Sequence, residues 1–126
     1  MALIKILMVA AGGAVGAVGR YLLSLIPTKI AFPILTLITN LMGALLIGFV
    51  VGLSEARGMH EKWLLFWKTG VCGGFTTFST FSLEALNLFQ KGGYIMGAVY
   101  VLLSVVLCIF GVMLGRQAAL LAFKSC

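Results

Sequence analysis

Residues 73–82 read GGFTTFSTFS: a glycine pair, then five hydroxyl side chains interleaved with three phenylalanines. The residues fall into rows three apart: Phe75, Phe78 and Phe81; Thr76, Ser79 and Ser82; Thr77 and Thr80. On a helix, positions three apart share roughly one face, so rings would stack along one stripe and hydroxyls along the stripes beside it. Hydroxyls and amide N–H groups donate hydrogen bonds. The edge of a phenyl ring carries partial positive charge. Together they make an uncharged surface able to replace water around a small anion. A fixed cation at the same depth would hold the anion more tightly, which works against fast passage; the nearest candidate is Arg20. Phe78, Phe81, Ser79 and Thr80 are therefore the candidate anion-contacting residues. A Phe stripe alone is more often a packing device than a binding one, and the adjoining hydroxyls are what point to a ligand.

Three further features belong with this stretch. Asn40, in TLITNLMGA (36–44), fits two roles: an interhelical hydrogen bond, or an amide N–H₂ aimed into a passage. Gly73-Gly74 is a poor helix interior, at about 1 kcal/mol per glycine relative to alanine. It is read as a helix break that frees backbone carbonyls and amides, with close packing as the alternative. Tyr100, Ser104 and Cys108, spaced four apart, form a weakly polar stripe, its alternative being hydrogen bonds back to their own helix.

The elements carrying these residues follow from composition. The chain has 126 residues, of which 62% are hydrophobic and only 10% charged, far below the roughly 25% charged of soluble domains. A membrane span takes about 20 mostly apolar residues. Residues 30–54 and 92–115 carry no charge, 2–26 only Lys5 and Arg20, and 63–89 only Lys68 and Glu84. The expected fold class is an all-α integral membrane protein, one domain over 1–126. Its four transmembrane helices are expected at about 2–26, 33–54, 63–89 and 94–122, the third broken mid-membrane. The N-terminal run continues past Arg20 to Pro27 without a clear cleavage site and is read as a retained span. Gly12 and Gly16, Gly48 and Gly52, and Gly111 and Gly115 form GxxxG pairs that let helices approach closely. Four such helices enclose little space, so a passage is expected between subunits of a homo-oligomer.

The net charge of +6 would hint at nucleic acid in a soluble protein. Here the basic residues sit at span ends and are read as anchors to lipid headgroups, with no nucleic-acid partner. Lys5, Arg57, Lys62, Lys68, Arg116 and Lys124 fall toward one side, and Arg20, Lys29 and Lys91 toward the other, a modest bias for a cytoplasmic N-terminus. Cys72, Cys108 and Cys126 are too few and too scattered for a disulfide framework or metal site and are read as packing residues. All three acidic residues are glutamates, and the one histidine, His60, is read as a solvated loop residue. No carboxylate pair or triad is available, so an enzyme is not expected.

GVCGGFTTFSTFS (70–82) followed by Glu84, with GGAVGAVGRYLL (12–23) and LITNLMGALLIG (37–48), closely resembles the CrcB/Fluc family of fluoride channels. The resemblance covers nearly the whole chain in length, span count and motif order. It implies an antiparallel, dual-topology homodimer in the cell inner (plasma) membrane, with two pores between the subunits that let fluoride leave the cytoplasm. It also implies a structural, untransported sodium ion on the dimer axis, held by backbone carbonyls at Gly73 and Thr76. The family's pore phenylalanines match Phe78 and Phe81, and its pore asparagine matches Asn40. Its pore-side hydroxyls match Ser79, Thr80 and Ser104, with Tyr100 on the same helix-four track. Arg20 matches a basic residue near the pore entrance. The chain departs from the family pattern at Cys108 and Val112, where hydroxyls are often found, and at Phe75, which is assigned to packing.

Two other classes share some of these features. A small dual-topology, proton-coupled multidrug exporter would have the same length and span count, but it needs a carboxylate in its first helix, which is absent here. A scaffold subunit would explain the GxxxG pairs but not the hydroxyl and phenylalanine rows.

Overall fold

The computed structural model describes residues 1–124 and is helical throughout, with no strand among the described residues; Cys126 lies outside them. Helix α1 spans Ala2–Ser24 and stops ahead of Pro27, whose ring disfavours helical geometry in the residue before it. Helix α2, Ile34–Arg57, starts after Pro33 and ends at Gly58, whose φ of +73° suits glycine. His60 caps the next short helix, α3 (Glu61–Leu64), its Nδ1 accepting the Lys62 N–H at 3.3 Å. That gives the histidine a defined structural role where the sequence points only to solvation.

From α3 the chain continues without interruption through a π-helical segment, Leu65–Cys72, into one more helical turn, α4 (Gly73–Phe75). Thr76 and Thr77 are then extended, with ψ of 157° and 112°. Helix α5, Phe78–Gln90, resumes after them and ends at Gly92, at φ +81°. Helix α6, Tyr94–Phe123, completes the fold. Three helices, α1, α2 and α6, are long and apolar enough to cross a membrane. The 61–75 and 78–90 pieces are each shorter than the ~20 residues of a full span.

The helices pack in two pairs, α1 with residues 61–75 and α2 with α6, while α5 lies against α6. Both pairs are seamed by glycine. A Cβ at Gly16 would strike the Val71 carbonyl, and one at Gly48 the Val112 carbonyl. Residues far apart in sequence thereby approach backbone to backbone, as small-residue seams in membranes allow. Large apolar side chains cover the outside, including Leu3, Ile6, Leu102 and Leu121, the surface a lipid environment demands.

Charges gather at one end. Lys5 pairs with Glu61 at 2.7 Å and Arg116 with Glu55 at 2.8 Å, and the Arg57 guanidinium donates to the Phe123 carbonyl at 2.9 Å. The start of α1, the loop after α2 and the end of α6 therefore share one end of the bundle.

Candidate functional site

The break does not fall at the glycines. Gly73 keeps helical angles (φ −64°, ψ −37°), and the chain opens at Thr76 and Thr77. Gly74 serves packing, since a Cβ there would lie 2.5 Å from the Gly13 carbonyl oxygen. The cause of the break is a side chain 37 residues away in sequence. Asn40 Oδ1 accepts the Thr77 N–H at 2.8 Å, and Asn40 Nδ2 donates to the Thr77 carbonyl at 3.2 Å. In an unbroken helix that N–H would bond to the Gly73 carbonyl. The carboxamide thus takes the place of one helical turn, combining the interhelical hydrogen bond with a position on the cavity described below. One of its two N–H hydrogens stays uncommitted.

Other side chains finish the two ends. Thr77 Oγ1 accepts the Thr80 N–H at 3.1 Å, a threonine N-cap that starts α5. Thr76 Oγ1 donates to the Cys72 carbonyl at 2.9 Å. Arg20 Nε donates to the Gly74 carbonyl at 3.2 Å, placing a cation at the negative end of the first half-helix. The positive end of α5 faces the same gap from the other side. A single discontinuity therefore sets a half-helix C-terminus on one side and a half-helix N-terminus on the other.

Beside the break lies a cavity of about 420 Å³. Its wall brings together Asn40, Gly73, Thr76, Thr77, Phe78, Phe81, Ser104 and Cys108. The rest is mostly aliphatic, including Ile47, Val105 and Val112. Phe78 is 79% exposed, whereas Phe81 is buried. Their ring centroids are 5.5 Å apart. Ser104 is 6% exposed, and its Oγ has no hydrogen-bond partner among the described residues. A buried hydroxyl left unpaired costs about 1–3 kcal/mol, so an orphan on a cavity wall points to a ligand.

Four expected site residues stand apart from this wall. Ser79 and Thr80 occupy another side of α5; Ser79 is exposed, with its Oγ 3.3 Å from Thr77 Oγ1. Arg20 is committed to Gly74. Tyr100 is fully buried, its ring 5.2 Å from that of Phe81 and its O–H donating to Glu84 Oε2 at 2.7 Å. The Tyr100, Ser104 and Cys108 stripe is therefore split, its first member turned into the core. The phenylalanine row is split too. Phe75 lies before the break against Gly19 of α1, as a packing residue.

Two elements of the site are not foreseen from the sequence. Glu84 bridges three helices, accepting from Thr36 Oγ1 at 2.8 Å as well as from Tyr100. Lys68 lines the cavity, although the sequence points to no basic residue near it other than Arg20. Its spacing of four to Cys72 and eight to Thr76, both on the same wall, is the signal that could have revealed it.

Long apolar helices, a polar discontinuity and a lined cavity define a multi-pass membrane protein built around a break in its third hydrophobic segment. The chain belongs to the CrcB family: a family model described as CrcB-like protein, Camphor Resistance (CrcB), matches residues 7–116. Similar proteins include the fluoride-specific ion channel FluC of Ruminiclostridium cellulolyticum, 46% identical over 121 residues, covering 93% of each chain. The protein of the same name from Rhodospirillum rubrum is 46% identical over 121 residues, covering 91% of this chain and 94% of its own. That of Elusimicrobium minutum is 45% identical over 116 residues, covering 89% and 90%.

Proposed function

We propose that this chain is the subunit of a fluoride channel that carries the ion passively out of the cell across the inner membrane. On this reading 61–75 and 78–90 together make one broken span, giving four spans per subunit. Two subunits pair in antiparallel, dual-topology fashion. The observation that carries the proposal is the break clamped by Asn40, which opens onto uncharged donors and ring edges. The names of the relatives point the same way.

Fluoride is small and strongly hydrated, so passage requires donors that replace its water without trapping it. The free Asn40 N–H, the orphaned Ser104 hydroxyl and the open amides at the start of α5 are neutral donors around one cavity. The edges of Phe78 and Phe81 add partial positive charge. Short hydrogen bonds of this kind reward the compact charge of fluoride more than the diffuse charge of chloride. The exposed ring of Phe78, with Ser79 on a neighbouring face, is available to a second subunit, consistent with pores that run between copies.

A sodium ion suits the opposite side of the break. The Gly73 carbonyl has lost its helical donor to Asn40, Gly73 is exposed, and Thr76 is the first extended residue. Neutral carbonyl oxygens at a half-helix C-terminus are a donor set that sodium accepts. Gly73 and Thr76 would hold the ion, with the same pair from a second copy completing its shell. Bound there, it would offset the carbonyl charge and fix the two halves.

A proton-coupled exporter is disfavoured by the surroundings of Glu84, which is tied by two hydroxyl donors rather than open to a cationic drug. Purified protein in liposomes tests the proposal. Fluoride-loaded vesicles are expected to empty on addition of a potassium ionophore, and chloride-loaded ones to stay full. Equal efflux of both anions, or of neither, would refute the fluoride reading.

A further inference from the structure

We infer that Lys68 is an electrostatic collector that draws the permeating anion into the cavity, an inference that rests on the fluoride reading above. Among the described residues Lys68 is the one charged side chain on the cavity wall. It is exposed and takes part in neither of the two ion pairs among those residues, Lys5 with Glu61 and Arg116 with Glu55. Its position is set by the continuous helical path through the π segment, which carries it on the same wall as Cys72, Gly73 and Thr76. Lys68 lies between the charged end of the bundle, marked by Glu61, and the break. It therefore stands on the approach and not at the narrow aromatic pair.

The surrounding wall is aliphatic, with Ile47, Ile109 and Val112 nearby. Low-dielectric walls focus the field of a charge into the space between them and raise the local concentration of counter-ions. Gly73 is five steps along the helical path from Lys68, at most about 7.5 Å along the axis at the α-helical rise of roughly 1.5 Å per residue. The Debye length is about 30 Å at 0.01 M salt and about 3 Å at 1 M. The field of Lys68 therefore reaches the break in dilute salt and is screened short of it in concentrated salt. An exposed, solvated ammonium one step outside the neutral site attracts the ion without binding it at the point of transit. The two demands, collection and release, are met by different residues.

The test measures initial fluoride efflux from liposomes holding wild type, Lys68→Arg, Lys68→Met or Lys68→Glu. Sodium is kept constant, and ionic strength is set equally on both sides with the potassium salt of an impermeant anion. At about 10 mM ionic strength, Lys68→Arg is expected to match wild type, Lys68→Met to run several-fold slower, and Lys68→Glu about tenfold slower or more. At about 1 M the four rates should converge to within about twofold. A simple structural defect would lower the rate by the same factor at both salts, and that outcome overturns the inference. So does a Lys68→Met rate equal to wild type in dilute salt. Wild type that passes no fluoride at either salt would overturn the fluoride reading and this inference together. Wild-type efflux with salt-independent variant ratios would overturn the role of Lys68 alone. A variant that fails to elute as a single species is replaced by Lys68→Gln, with the same expectation as Lys68→Met.

Discussion

Residues 61–75 lie against α1 through backbone, with Gly70 and Gly74 pressed on Gly12 and Gly13, whereas residues 78–90 meet their neighbours through rings and a carboxylate. On the second side Phe81 packs on Tyr100, and Glu84 gathers hydroxyls from α2 and α6. The first half leaves no room for adjustment, because a carbonyl cannot move aside as a side chain can. The second leaves Phe78 and Ser79 exposed, each set against a near neighbour on its own segment, Phe81 and Thr77. Between these anchorages the chain has to change direction within two residues. Asn40 makes that change stable by bonding both the N–H and the C=O of Thr77. Rigidity on one side and availability on the other suit the conducting role proposed for the break.

The contrast can be broken most severely on the rigid side. Gly16→Ala or Gly74→Ala drives a methyl into the Val71 or Gly13 backbone. Overpacking of this kind costs about 3 kcal/mol, so the variants are expected to lose the single gel-filtration peak of the folded protein or to melt well below wild type. On the available side, Phe78→Ile should leave folding unchanged, since the ring is 79% exposed and loses little beyond its contact with Phe81. Fluoride efflux should fall by about tenfold, the equivalent of about 1.4 kcal/mol. Ser104→Ala removes an unpaired buried hydroxyl. Thermal stability is expected to hold or rise by up to about 1 kcal/mol, while fluoride efflux drops several-fold. An unchanged rate would remove Ser104 from the pathway. The smallest effect belongs to Gly73→Ala. The position has helical angles, and a methyl group placed there would meet nothing within 4 Å, so a stability change within about 1 kcal/mol is expected. A collapse of the fold there would mean that Gly73 is a seam residue after all.

Much of this architecture is legible in the amino-acid order. Long apolar runs, uncharged through most of α2 and α6 and broken only by Lys5 and Arg20 in α1, announce these helices because lipid tolerates little else. Pro27, Gly58 and Gly92 punctuate them through backbone geometry. The break is legible in kind, but local propensity places it three residues too early, at Gly73-Gly74 instead of Thr76-Thr77. Helix propensity penalises Gly73-Gly74, yet the close approach of Gly74 to Gly13 outweighs that penalty and the helix runs on through both. The true position depends on Asn40, whose partner cannot be read from local spacing. Tyr100 illustrates the same limit. Its spacing of four from Ser104 is plain, but that residues share a stripe does not say how far the stripe wraps. Glu84, half-buried on an adjacent face, captures the tyrosine hydroxyl. Lys68 reads as a span-end anchor because charge near a segment boundary usually is one; only the cavity reveals its other surroundings.

The most direct test of the account is the initial rate of fluoride efflux from liposomes holding Asn40→Leu beside wild type. Leucine fills a similar volume but can neither accept from the Thr77 N–H nor donate to its carbonyl. The expected result is a protein that still elutes as wild type does and conducts fluoride at least about tenfold more slowly. A rate equal to wild type would contradict the claim that the clamped break is the conducting element.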